Sequence, residues 1–164
     1  MKRVINIGNR KQACKDLEPF RSKHYEACDI EFTNVSLTKI NDLVGFRLFR
    51  KSGLFVRSST LWEIMQPVGQ GGKHHHHGLQ PNEIVDALAS LIDSILIYKS
   101  HSNRYAVLVS GKANHPVLMV VIELHASLEN NRNADINKLV TIYPKDNLNK
   151  LGSSLLEKEV LYKK

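Results

Sequence analysis

The residues best suited to chemistry lie in the second half of the chain. Lys73-His74-His75-His76-His77 places four imidazoles behind a lysine, and polar groups recur where apolar runs end: Lys99, Ser100 and His101, then Ser110 and Lys112, then Thr141, Tyr143 and Lys145. A neutral imidazole titrating near about 6.5 is the natural acid–base group at cytoplasmic pH. Hydroxyls and ammonium groups at strand ends are the donors and cations that stabilise charge developing on a phosphoryl group. Three explanations compete for the histidine run. A purification tag is one, although the run is internal and continues into the helix-start signal Gly78-Leu79-Gln80-Pro81. A zinc, copper or nickel site is another, although consecutive histidines rarely converge on one ion and no carboxylate or cysteine stands beside them. In the third, one histidine does acid–base work and its neighbours are passengers. No required metal and no cofactor is expected. Each strand-end residue also has a plain structural explanation: Ser110-Gly111 as a turn, Lys99 and Lys145 as solvated cations, Tyr143 as a half-buried packing residue.

These groups need elements to carry them. After Asn9, a suitable N-cap, Lys11–Tyr25 has Leu17 and Phe20 at helical spacing, with Pro19 bending or ending the helix. Asp29–Thr33 alternates as a strand, and Ser36–Val44 reads as a short helix through Leu37, Ile40 and Val44. Phe46–Arg50, a Lys51-Ser52-Gly53 turn and Leu54–Arg57 read as a hairpin with basic residues between apolar ones. The segment 69–78, rich in glycine and histidine, reads as an internal loop. Pro81 then opens a helix whose Ile84, Ala87, Leu88 and Leu91 share one stripe. Ile95–Tyr98, Tyr105–Val109 and Val117–Leu124 form an antiparallel meander. Ser127–Asp135 is an Asn-rich loop, Leu139–Tyr143 a fourth strand, Asn147–Lys158 a short helix or two turns, and Val160–Tyr162 an edge strand. Helices gathered before a run of strands indicate an α+β fold, with helices packed on a curved antiparallel sheet of four to five strands.

Composition bounds the function. The 164 residues are 42% hydrophobic, enough for one domain with its own core, which argues against disorder. One domain over 1–164 is expected, with 1–65 as an N-terminal α/β portion and 66–164 as its catalytic core. No apolar run approaches the length of a membrane span. The opening MKRVINIGNR has the basic start of a signal peptide without its apolar middle, so a cytoplasmic location is expected. Cys14 and Cys28 match no disulfide framework or zinc pattern and read as reduced thiols. The 23 basic and 16 acidic residues leave a charge of +7, which favours a polyanionic partner.

The blocks HHGLQPNEIVDAL, SILIYKS, YAVLVS, PVLMVVIEL, LVTIYPKDN and the terminal VLYKK together resemble the barnase–EndoU–colicin–RelE-like nucleases of phages and polymorphic toxins. That resemblance covers residues 74–164. It implies metal-independent RNA cleavage by 2′-OH attack to a 2′,3′-cyclic phosphate. It also implies His77 or His76 as general base or acid and Lys99 as phosphate stabiliser, with Ser110, Thr141 and Tyr143 as hydrogen-bond donors to the scissile phosphate. Lys73, Ser100, Arg47, Arg57 and Lys145 would contact the rest of the RNA, and an acidic inhibitor protein would be the second partner. Two other readings stay open: a non-catalytic RNA- or DNA-binding module using the Phe46–Arg57 hairpin, and a metal-dependent hydrolase built on the histidine run. Catalysis requires one concave face, with His77 or His76 within about one nucleotide's span of Lys99 and Thr141, because the groups must reach the same phosphate.

Overall fold

The computed structural model describes residues 2–50, 53–67, 76–101, 103–111, 115–128, 131–145 and 158–164, with backbone alone for 125–128 and 131–135. Lys73, His74, His75 and Lys112, and the expected helix over 147–158 except Lys158, lie outside the described residues. Local chemistry sets the helix ends. Asn9 Oδ1 accepts the Gln12 N–H at 3.3 Å and opens α1 (Arg10–Leu17). Pro19 then converts the chain into a 3₁₀ turn, Glu18–Arg21, because it offers no N–H to continue the α-helical ladder. Helix α2 (Leu37–Val44) stops at Gly45, whose φ of 82° suits a residue without a Cβ. Helix α4 (Pro81–Ala89) begins where the Gln80 N–H donates to Glu83 Oε1 at 3.1 Å, with proline at the first position.

The remaining elements are α3 (Ser58–Met65) and the strands β1 (Lys2–Asn6), β2 (Asp29–Thr33), β3 (Leu54–Arg57), β4 (Leu96–His101), β5 (Arg104–Ser110), β6 (Val117–Leu128), β7 (Asn131–Pro144) and β8 (Glu159–Lys163). The class is α+β, but the expected antiparallel sheet of four to five strands is wrong. Eight strands among the described residues form one mixed sheet in the order β1-β2-β3-β7-β6-β5-β4-β8. The β1–β2 and β3–β7 junctions are parallel and the other ladders antiparallel. Residues 1–65 supply three of these strands. Within MKRVINIGNR, whose alternation is masked by charge, Lys2–Asn6 is an edge strand. The Asn-rich stretch is not a loop either, since β6 runs to Leu128 and β7 starts at Asn131.

The expected hairpin is also absent. Its second arm is β3, but Phe46–Arg50 is not a strand, because two side-chain amides satisfy its backbone in place of a neighbouring strand. Asn41 Oδ1 accepts the N–H groups of Leu48 and Phe49 at 2.9 and 2.8 Å, and its Nδ2 donates to the Phe49 carbonyl at 3.1 Å. Asn137, fully buried on β7, accepts the Arg50 N–H at 2.9 Å and donates to the Arg50 carbonyl at 3.0 Å. Helix α3 escapes a sequence reading because it follows β3 with no turn residue between them; the Ser58 N–H donates to the Cys28 carbonyl at 3.0 Å while Ser58 Oγ accepts the Cys28 N–H.

The sheet has two unlike faces. The helices cover one, burying a core that draws on Ile5, Phe20, Phe32, Phe49, Leu61, Leu79, Leu88, Ile122 and Ile142. On the other, Leu96, Tyr98, Ala106, Leu108, Val117, Met119 and Val121 form a second buried cluster, with Val140 and Tyr143 packed against it. Among the described residues no helix is long and apolar enough to cross a membrane. Cys14 and Cys28 are free thiols, and burial raises the pKa of Cys28.

Replacing Asn137 by alanine removes its two hydrogen bonds to the Arg50 backbone, each worth about 0.5–1.5 kcal/mol. The urea midpoint of Asn137→Ala should therefore fall markedly with an unchanged slope. A midpoint equal to that of the unsubstituted protein would show that this amide does not hold the segment.

Candidate functional site

A break in alternation builds the site. Across β6 and β7, Val121 faces Thr141 while the next residue, Ile122, faces Leu139, so Val140 is one residue too many on β7. Such a bulge re-aims side chains locally. Leu139 and Ile142 stay in the helix-covered core, whereas Val140 and Tyr143 pack on the second face. Val140, Thr141 and Tyr143 consequently line one cleft of about 440 Å³. Its other walls are Thr60, Glu63 and Ile64 from α3, His77 from the segment before α4, and Arg104 from the start of β5.

The wall from residue 77 is held by backbone. Gly78, at φ 65°, turns the chain back along the end of α3, where its N–H donates to the Gln66 carbonyl at 2.6 Å and the Leu79 N–H donates to the Ile64 carbonyl at 3.1 Å. His77 is thereby laid on Tyr143, with ring centroids 5.5 Å apart and planes 32° apart. The Tyr143 hydroxyl donates to the Met119 sulfur at 2.7 Å, and the Tyr98 hydroxyl reaches the same sulfur at 3.6 Å. Arg104 Nε is 2.8 Å from Glu123 Oε2, so its charge is locally matched. The side chains of Thr60, Glu63 and Thr141 make no hydrogen bond among the described residues.

The structure thus gathers His77, Thr141 and Tyr143, three of the residues singled out in the sequence. His76 sits apart, its half-buried ring edge-on to Trp62 at 5.3 Å. Lys99 faces Tyr105 across β4 and β5, and Tyr105 packs against the helix-covered core. Directly opposed residues share a face, so Lys99 leaves the sheet on the side away from Thr141 and Tyr143. Ser100 spends its hydroxyl on the Arg104 carbonyl at 3.2 Å. Ser110 is exposed at the far end of β5, opposite Val117. Arg47 is exposed in the segment pinned by the two asparagines, Arg57 lies 4.0 Å from Asp29 Oδ1, and the Lys145 N–H donates to the Val117 carbonyl at 2.9 Å. None of these joins the cleft. Sequence reasoning missed Thr60, Glu63, Ile64, Arg104 and Val140. The first three follow from the overlooked helix, for which the spacing of Leu61, Ile64 and Met65 was the available signal; the bulge leaves no signature in residue type.

One family model, the phage MuF-C-terminal domain, matches residues 69–164. No curated protein and no solved structure matches. The family match overturns the resemblance to barnase–EndoU–colicin–RelE-like nucleases over 74–164, and with it the metal-independent endoribonuclease and the toxin and hydrolase descriptions. The quoted blocks encode a capped helix and alternating strands, which many α+β folds require and which carry no chemistry by themselves. The phage association stands.

Burial raises the pKa of the Tyr143 phenol, and burial followed by the nearby Tyr143 charge raises that of Tyr98. Folding favours both neutral phenols, so their contribution to stability is complete below the ordinary value of about 10 and is lost as pH climbs through the higher folded values. Ultraviolet titration of phenolate should show these two tyrosines ionising late, and Tyr143→Phe should remove one late step. Loss of no late step in that variant would contradict the burial argument.

Proposed function

The chain belongs to the phage MuF C-terminal domain family, and from that membership we propose that it is a structural or assembly component of a phage rather than an enzyme. The family match over residues 69–164 carries the reading. That span contains β7, its bulge, His77 and Arg104, and hence most of the cleft's lining. A cleft with an aliphatic wall, paired aromatic rings and, among the described residues, no side-chain hydrogen bond to Thr60, Glu63 or Thr141 suits the capture of a partner's side chain. The surplus of seven positive charges adds long-range attraction toward an acidic partner surface.

The test is made in the phage that encodes the chain. Quantitative mass spectrometry of purified particles and assembly intermediates should detect it in at least one of them, and deleting residues 69–164 should lower the yield of infectious particles. Absence from both fractions together with an undiminished yield would overturn the proposal.

A further inference from the structure

We infer that the cleft beside β7 receives an arginine side chain from a partner protein. The inference rests on the assembly reading only for where that arginine comes from. Three features of the lining select a planar cation. First, Glu63 is the cleft's carboxylate without an ion-pair partner among the described residues, whereas Arg104 is already matched by Glu123 at 2.8 Å. Glu63 is therefore the carboxylate of the lining that can take up a cation. Second, a guanidinium offers five N–H donors in one plane and no acceptor. The carboxylate of Glu63 and the hydroxyl oxygens of Thr60 and Thr141 supply acceptors, and none of them is used within the described residues. Third, the His77–Tyr143 ring pair, anchored by the Tyr143 hydroxyl on Met119, puts aromatic surface into the lining, while Ile64 and Val140 provide apolar surface for a methylene stem.

Charge complementarity on two scales defines the partner. The whole chain carries +7 and repels a polybasic segment. The cleft asks for a single cation. The partner is accordingly a neutral or acidic protein surface presenting one exposed arginine, held by a charge-assisted pair at Glu63. A lysine would satisfy the charge but could neither fork toward several acceptors nor lie flat against a ring.

The test titrates N-acetyl-arginine methylamide, N-acetyl-lysine methylamide and N-acetyl-citrulline methylamide into the full isotope-labelled chain at about pH 8, where imidazole is neutral. The arginine derivative should give saturable amide shifts at Glu63, Thr141 and Tyr143 with a Kd on the order of millimolar. Lysine should bind severalfold more weakly, and citrulline, which keeps the planar shape without the charge, should not saturate. Glu63→Gln should weaken arginine binding by roughly tenfold with an otherwise unchanged amide spectrum. Thr60→Val should weaken it less, which keeps the test informative if either variant misfolds. Absence of saturation, equal responses to all three compounds, or unchanged binding in Glu63→Gln would overturn the inference. So would shifts at these residues that depend on protein concentration alone, which would make a second copy the occupant. No phage component is present in this experiment, so the cleft can fail while particle association stands, and the converse also holds.

Discussion

Strand β7 is the joint on which the rest of the structure depends. It pairs with β6 along most of its length, and on its other side it meets β3 at only two register positions, Leu54 with Asn137 and Phe55 with Lys138. That short parallel ladder attaches the N-terminal strands to the meander. The buried amide of Asn137 extends the joint by holding the Arg50 backbone with two hydrogen bonds, a donor and an acceptor where a longer β3 would have offered its own. Because β3 leaves so early, the chain can turn directly into α3, whose Thr60, Glu63 and Ile64 then stand beside the exposed flank of β7. The early departure of β3 and the bulge at Val140 jointly create the cleft: one opens the space, and the other brings Val140 into the lining beside Thr141 and Tyr143.

What could be read from the sequence was whatever local chemistry decides. The caps at Asn9 and Pro81, the break at Pro19, the stripe of Ile84, Ala87 and Leu88 and the alternation of β2, β5 and β6 each belong to one short window, and the structure places those elements where the spacing does. The failures share a cause, in that a distant partner overrode the local signal. Phe46–Arg50 has a strand's alternation but takes its hydrogen bonds from Asn41 and Asn137, one of them 87 positions away. The first residues look unpatterned because β1 is an edge strand, with most of its side chains in solvent. The Asn-rich stretch reads as a loop by composition, yet β6 extends into it as far as Leu128 and β7 starts within it at Asn131.

The candidate site divides in the same way. His77, Thr141 and Tyr143 could be singled out because imidazole, hydroxyl and phenol at element ends are visible as residue types. Lys99 looked equivalent, but a single step of strand parity sends it through the other face of the sheet. Glu63 could not be found without the helix that carries it. Function was the least legible layer. The short blocks that suggested a nuclease are signals for building elements, and a succession of such blocks is compatible with proteins that share no chemistry.

The strand order has a consequence for solubility. Among the described residues the open sheet of eight strands ends in two edges, β1 and β8, whose outer backbone groups could template a neighbouring chain. With strands spaced roughly 4.8 Å apart, those edges lie about 34 Å from each other, too far for one to shield the other. Both are short and carry long cationic side chains: Lys2 and Arg3 on one, Lys163 beside Lys164 on the other. On β1 these cations are matched within the chain, Lys2 by Glu31 at 3.5 Å and Arg3 by Glu26, so that rim meets a neighbour as a row of ion pairs and not as bare apolar strand.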